Sequence, residues 1–216
     1  MISQAVTDTI QTLADVQNRF NLRRTEDISF FREWYENLPE LSQEERESLD
    51  IIRRRYLYHL AAGSLSEGTV TLLLGAPLLE KAGFYDPPFR MRGEASIEIV
   101  IPGENPEEEI LRGRMDVLVV IERVWVIVLE SKRTGIALNA ALPQLLAYMM
   151  GCPNRECPIF GIIINGDGVQ FAKVVGGTIP QFDVSDVFSP VPARNGLYSV
   201  LQILKRIGTI ILDEES

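Results

Sequence analysis

Three ionisable residues lie at the ends of two apolar segments. Asp116 opens the segment MDVLVVI, and Glu130, Ser131 and Lys132 close the segment VWVIVLESK. Both segments are rich in β-branched residues, which is typical of strands covered on both faces of a sheet. A carboxylate or an ammonium in such a strand loses its hydration unless it has a partner. The three charged side chains therefore form a candidate site.

Whether these side chains meet depends on the turn between the two segments. If the strands form a hairpin with an odd loop centred near Arg123, or with a bulge, position 116 lies opposite position 130. Side chains two residues apart share a face, so Asp116, Glu130 and Lys132 then converge. A two-residue turn at Glu122 and Arg123 would instead put Glu130 on the other face.

Two carboxylates at this spacing repel each other, and a hard divalent cation relieves the repulsion. We expect Mg²⁺, or Mn²⁺ in its place, with Asp116 and Glu130 as metal ligands. Such an ion binds a phosphate oxygen and lowers the pKa of a bound water, and the Lys132 ammonium would stabilise negative charge in the transition state. An exposed salt-bridge cluster at the end of a strand is the alternative.

Lysine is rare in this chain, which has four lysines at positions 81, 132, 173 and 205 among 21 basic residues. A compact ammonium suits a neighbouring carboxylate and a metal better than the planar fork of an arginine does. Lys132 also completes the only acidic-x-Lys triplet of the chain. Lysine usage thus favours a specific role for Lys132.

Composition restricts the class of protein. The chain is 46% hydrophobic and 24% charged, which is usual for a globular protein. It has neither an apolar run of about eighteen residues nor a signal-peptide pattern at its start, so we expect a cytoplasmic protein with no membrane partner. The single histidine, His59, lies in no catalytic motif, which argues against a Ser-His or Cys-His mechanism.

The net charge of −9 argues against a nucleic-acid partner, because affinity for phosphates comes mainly from Lys and Arg. Much of the acidity is local, as in the run from Glu104 to Glu109. Basic residues also cluster, at 53–55, at 112 and 114, and at 132–133. The arginine triplet is open to two interpretations, a solvated helix face or a nucleic-acid contact.

Hydrophobic periodicity predicts one α/β unit with a helical N-terminal extension at residues 1–62 and a second part at residues 63–216. The predicted helices cover residues 1–22, 43–62, 139–150 and about 195–212. The second begins with a capping box of Ser42 and Glu45, and Pro143 is tolerable only in the first turn of the third. Between residues 62 and 94 the pattern predicts a further helix with a kink or a break at Gly75 and Pro77. Five strands are predicted. The first is a half-buried strand from Glu94, followed by the charged loop PGENPEEE and then by the two apolar segments that contain Asp116 and Glu130. The last two are PIFGIIIN and VQFAKVV, which an NGDG turn joins.

The segments GRMDVLVV and VIVLESK, followed by Gln144 and Tyr148 in the next helix, resemble the PD-(D/E)xK nuclease superfamily, in particular RecB-like nucleases and type I restriction enzyme nuclease domains. The resemblance covers roughly residues 60–175. It implies a restriction-endonuclease-like core of helix, three-stranded antiparallel meander, helix and strand in a mixed sheet. Met115 stands where the name-giving proline would be.

The resemblance also implies roles for individual residues. Asp116, Glu130 and the backbone carbonyl of Ser131 would bind the metal, and Lys132 would be catalytic. Gln144 would assist, as would an acidic residue of the preceding helix, for which Glu67 matches better than Glu80. DNA is the expected substrate and RNA stays open, as do a homodimer and a non-catalytic nucleic-acid-binding or scaffold protein that retains the nuclease fold.

Overall fold

The computed structural model describes residues 2–101, 109–121, 124–154 and 157–214. Within them eight strands form one mixed sheet in the order β1-β4-β5-β6-β7-β8-β2, and β3 pairs with β4 outside this path. The strands are β1 (Ile2–Ala5), β2 (Arg23–Arg24), β3 (Arg90–Ile101), β4 (Glu109–Ile121), β5 (Val124–Ser131), β6 (Ile159–Ile164), β7 (Val169–Val175) and β8 (Gln181–Phe188). The predicted α/β class with a mixed sheet is confirmed. Most of the predicted charged loop, and Glu122 with Arg123, lie outside the described residues.

The helices are α1 (Val6–Thr9), α2 (Leu13–Phe20), α3 (Gln43–Leu60), α4 (Glu67–Val70), α5 (Ala76–Lys81), α6 (Leu138–Met150) and α7 (Leu197–Glu214). A 3₁₀ turn covers Arg32–Trp34, and a π-helical segment, Thr71–Gly75, joins α4 to α5. Among the described residues, no helix has the length and apolar character needed to cross a membrane.

The prediction of a continuous helix over residues 1–22 is wrong. Residues 2–5 form β1, which pairs in parallel with the start of β4, so their backbone hydrogen bonds belong to the sheet. The chain then forms α1, and α2 begins only after a capping box of Thr12 and Asp15. The apolar periodicity correctly indicated which side chains are buried, since Val6, Ile10 and Val16 lie in the core. It did not predict the backbone conformation of residues 2–5.

Of the predicted kink or break at Gly75 and Pro77, the structure excludes the break. The chain stays helical from α4 to α5, and a widened π-helical turn lies just before the proline, with the Ala76 N–H donating to the Thr71 carbonyl. Pro77 has no N–H to donate to the preceding turn, and a π-helical turn is one way for a helix to accommodate this. Pro143 likewise lies inside α6, beyond the first turn to which the sequence assigned it.

The sheet has a hydrophobic cluster on each face. The α7 cluster joins α3, α5 and α7 to one face and includes Ile52, Leu78, Val117, Leu129, Ile162 and Leu204. The α6 cluster joins α1, α2 and α6 to the other face and includes Val16, Met115, Val128, Leu145, Tyr148 and Ile163. With both faces covered, the central strands are buried, as the apolar segments predicted.

Several other predicted elements are confirmed. The Ser42–Glu45 capping box begins α3, and β6 and β7 form the predicted antiparallel hairpin. The side chain of Asn165 closes that turn by accepting from the N–H groups of Asp167 and Gly168. Strand β8 was not predicted. It pairs with β7 and carries the short strand β2 on its other edge.

Candidate active site

The hairpin of β4 and β5 contains the bulge on which the candidate site depends. Ile121 pairs with Val124, but the register shifts between Val119 and Val120, so that Val117 pairs with Leu129. Continuing this register by one residue puts Asp116 opposite Glu130. Of the two alternatives that would align these positions, an odd loop or a bulge, the bulge is the one observed.

The Asp116 carboxylate is fixed by the end of β5. Its Oδ2 accepts hydrogen bonds from the Ser131 backbone N–H at 2.6 Å and from the Ser131 hydroxyl at 2.7 Å. Hydrogen bonds to an ionised acceptor are among the stronger ones in proteins. Asp116 is therefore held in one orientation at the point where β4 and β5 stop pairing.

Glu130 and Lys132 form a buried ion pair beside this carboxylate. The Lys132 Nζ donates to Glu130 Oε1 at 2.6 Å, and only 3% of the Glu130 side chain and 17% of the Lys132 side chain are exposed. Glu67, in the first turn of α4 and half exposed, lies with its Oε1 4.0 Å from the same ammonium. The second oxygen of Glu130, Oε2, is buried and has no hydrogen-bond partner among the described residues.

Burial raises the pKa of Glu130 to about 7. The Lys132 ammonium opposes this shift, whereas the negative charges of Asp116 and Glu67 add to it. The pKa of Lys132 is also raised, because attraction to Glu130, Glu67 and Asp116 outweighs the effect of burial, which alone would lower it. Three carboxylates thus act on one ammonium.

The π-helical segment contacts the site directly. The Thr71 hydroxyl donates to Ser131 Oγ at 2.9 Å and also lies 3.1 Å from the Glu67 carbonyl. Since the Ser131 hydroxyl donates to Asp116, the helix is connected to the carboxylate through two side chains. Widened helical turns are frequent at functional sites, and here the turn carries the residue that supports Ser131.

Tyr148 faces the strand that carries Asp116, and Gln144 contacts Tyr148. Gln144 Nε2 donates to the Tyr148 hydroxyl at 2.8 Å, and the Tyr148 ring lies against Gly113. Burial raises the pKa of Tyr148, with a smaller contribution from the negative charge of Glu130. The predicted pair is therefore formed, and Tyr148 lies within electrostatic range of Glu130, while Gln144 contacts Tyr148.

Replacement of Gly113 by alanine is expected to destabilise the protein by about 1–3 kcal/mol, the usual range for overpacking a core. A Cβ at this position would lie 2.5 Å from Tyr148 Cε1 and 3.0 Å from its hydroxyl. Urea unfolding measures the change. Gly93→Ala is the matched control, because a Cβ at Gly93 on the neighbouring strand meets no atom within 4 Å. Equal losses in both variants would contradict the close packing of Tyr148.

The rarity of lysine does not by itself single out Lys132. Lys173 donates to Glu33 at 2.6 Å, and that pair also leaves a buried glutamate oxygen without a partner among the described residues. Lys173 is held in addition by the Phe30 carbonyl. What distinguishes Lys132 is its surroundings, since two further carboxylates, Asp116 and Glu67, act on its ion pair with Glu130.

Other predicted features lie elsewhere. In the arginine triplet, Arg53 and Arg54 line a surface concavity of about 600 Å³, and Arg53 donates to the carbonyls of residues 190–192. Arg55 lies on the groove between α3 and α5. His59 is exposed, and its ring lies edge-on to Tyr58. Glu80, the alternative to Glu67, is exposed and lines a groove between α3 and α5.

In the part of the chain that the structure describes, no group of three or more His, Cys, Asp and Glu side chains is arranged to hold a metal ion. A metal here would have two carboxylates and backbone oxygen as protein ligands. A scan against protein-family models finds no match for this chain, and a search of the curated proteins finds none either. The geometry of the site is therefore the basis for any assignment of function.

Two contributors to the site were not identified from the sequence. Thr71 lies in an apolar helical segment and is followed by the residues LLLG. In such a segment, a threonine does not indicate a polar contact. The hydroxyl of Ser131 binds Asp116, although the resemblance assigned this residue a role through its backbone carbonyl. Gly113 did have a signal, because a glycine inside a strand often marks a close approach of another group.

Proposed function

We propose that this protein is a magnesium-dependent nuclease that hydrolyses phosphodiester bonds in DNA, with a restriction-endonuclease-like core. The observation that carries the proposal is the buried Lys132–Glu130 pair at 2.6 Å beside Asp116. An ion pair removed from water is weak evidence of a purely stabilising role, since burial of both charges costs about as much as their attraction returns. Such pairs with perturbed pKa values are frequent at functional sites.

The residues of this site fit a hard divalent cation. Glu130 Oε2 is buried without a hydrogen-bond partner among the described residues, and one oxygen of Asp116 is occupied by Ser131, which leaves the other for a ligand. Asp116, Glu130 and the Ser131 carbonyl would supply the oxygen ligands that Mg²⁺ prefers. When bound, the ion would activate water and neutralise charge on the leaving oxygen.

The side chains around this position would each have a distinct task. Lys132 would place its ammonium against the negative charge that develops on the phosphate, and Glu130 holds that ammonium at one point. Ser131 fixes the orientation of Asp116. Glu67 acts electrostatically on Lys132, and Gln144 orients Tyr148, so both would influence the site without being essential to it.

The order of elements supports the finer assignment of fold. A helix (α4 to α5) is followed by the antiparallel meander β3-β4-β5, by α6, and by β6 parallel to β5. This is the order that the resemblance to PD-(D/E)xK nucleases implies. Fold alone does not establish activity, so the proposal depends on the site.

The direct test is cleavage and metal binding by the purified protein. We expect it to cut linear DNA in Mg²⁺ or Mn²⁺ and to be inactive in EDTA, and calorimetric titration with Mn²⁺ should show a site of defined stoichiometry. Parallel assays with single-stranded RNA determine the substrate class. Absence of both cleavage and divalent-ion binding would contradict the proposal and favour a non-catalytic protein, in agreement with the net charge of −9.

A further inference from the structure

In both β3 and β4, the alternation of side chains between the two faces of the sheet is interrupted, and the two interruptions lie side by side. In a regular strand, residues two apart point to the same face. In β4, however, Met115 belongs to the α6 cluster and Val117 to the α7 cluster. In β3, Met91 packs against the α7 cluster, whereas Ala95 packs against the α6 cluster.

Glu94 lies at the centre of this change. Gly93 pairs with Val117 and Ala95 with Met115, so Glu94 lies opposite Asp116. Its backbone is left-handed, with φ of 50°, although it is not a glycine. A residue with a Cβ rarely adopts this conformation, and it persists only where the surrounding packing requires it.

The packing on either side supplies that requirement. From Ile97 onward, the isoleucines of β3 fill the α6 cluster, while Met91 at the other end contacts the α7 cluster. A single left-handed residue allows the strand to satisfy both clusters without losing its register with β4. Asp116, the residue opposite Glu94 on β4, consequently packs in neither hydrophobic cluster, and its carboxylate accepts hydrogen bonds from Ser131.

The charge of Glu94 is a poor alternative explanation. Its Oε2 lies 3.5 Å from Arg114 Nη1, but the two side chains are 74% and 65% exposed. Ion pairs with this exposure contribute little to stability. The backbone conformation at position 94 is therefore the property that affects Asp116.

We infer that Glu94 is a positioning residue, whose left-handed backbone turns β4 at Asp116 and directs that carboxylate onto Ser131. The inference rests on the proposed function only in so far as Asp116 is a functional carboxylate. Its structural part concerns the Asp116–Ser131 hydrogen bonds and can be measured without any catalytic assay.

The experiment compares Glu94→Val with Glu94→Gly by amide hydrogen exchange in NMR, measured at Ser131 relative to Val128 in the same strand. Valine is β-branched and excludes the left-handed conformation, so the Ser131 amide should lose its acceptor and exchange about tenfold faster or more. Glycine adopts this conformation readily, so the Gly variant should keep wild-type exchange and fold at least as stably.

Glu98→Val is the matched control. Glu98 is an exposed residue of the same strand, and it pairs with Arg112 at 2.8 Å as Glu94 does with Arg114. This variant loses an equivalent charge at a regular position and should leave Ser131 exchange unchanged. Cleavage and Mn²⁺ binding, measured on the same four proteins, should be reduced only in Glu94→Val.

The outcomes separate this inference from the nuclease proposal. Wild-type exchange at Ser131 in Glu94→Val would overturn the inference even if the wild-type protein cuts DNA. Faster exchange in Glu94→Val alone would support it even if the wild-type protein cuts nothing. Should the valine variant fail to fold, the glycine variant still decides, because loss of Ser131 protection in Glu94→Gly contradicts a role for the backbone conformation.

Discussion

Lys132→Ala is expected to cut DNA about 100- to 1,000-fold more slowly than the wild-type protein in Mg²⁺, the usual loss when one group that stabilises transition-state charge is removed. The ammonium is held beside Asp116 by its 2.6 Å contact with Glu130. Asp116→Asn should cause a loss at least as large, because it removes the negative charge of the carboxylate that we propose as a metal ligand. Single-turnover cleavage of a labelled duplex measures both effects.

The control is Lys81→Ala. Lys81 is an exposed lysine at the end of α5, so this variant removes the same charge away from the site and should retain wild-type rates. Thermal unfolding of all variants separates lost chemistry from lost structure. Equal cleavage by wild type, Lys132→Ala and Asp116→Asn would mean that the activity belongs to a contaminant or to another site.

The buried carboxyl of Glu130 should make the protein less stable as the pH rises. Its pKa is raised from 4.5 to about 7 by burial, so the folded protein holds a proton that the unfolded chain releases. The stabilising effect of this proton is complete below about pH 4.5 and is lost as the pH rises through about 7. A shift of this size corresponds to about 3 kcal/mol.

Urea unfolding of wild type and Glu130→Gln between pH 4.5 and 8 measures this effect. The free energy of unfolding of the wild type, relative to that of the variant, should fall over this range, since the substituted amide carries no titrating proton. Glu80→Gln, the same change at an exposed glutamate, measures what the substitution itself does. A difference between wild type and Glu130→Gln that is constant with pH would contradict the raised pKa.

The central strands could be predicted because their apolar runs have one physical interpretation. A segment such as VWVIVLE is too short for most helices and too apolar for an exposed strand, so burial in a sheet follows. The capping box at Ser42 and the NGDG turn were equally specific, because each depends on local hydrogen bonds that the sequence encodes. The alignment of Asp116 with Glu130 could be stated only as a condition, since it depends on a bulge.

Several features that were wrong or missed depend on contacts between distant segments. Nothing in residues 2–5 signals that they pair with β4, and the amphipathic pattern that continues after them favours a helix. The hydroxyl contacts of Thr71 and Ser131 join residues 60 apart in the sequence. Glu94 has no local feature that predicts a left-handed backbone, because the requirement comes from the two clusters on opposite faces of the sheet.

The parallel pairing of β1 with β4 constrains the order in which the chain folds. Strand β1 pairs with residues 109–112 of β4, and β2 pairs with residues 181–182 of β8. Both strands therefore depend on contacts of long sequence separation, and closure of such long loops slows folding. We expect β1 and β2 to be added last, onto a core of β4 to β8 that is already assembled.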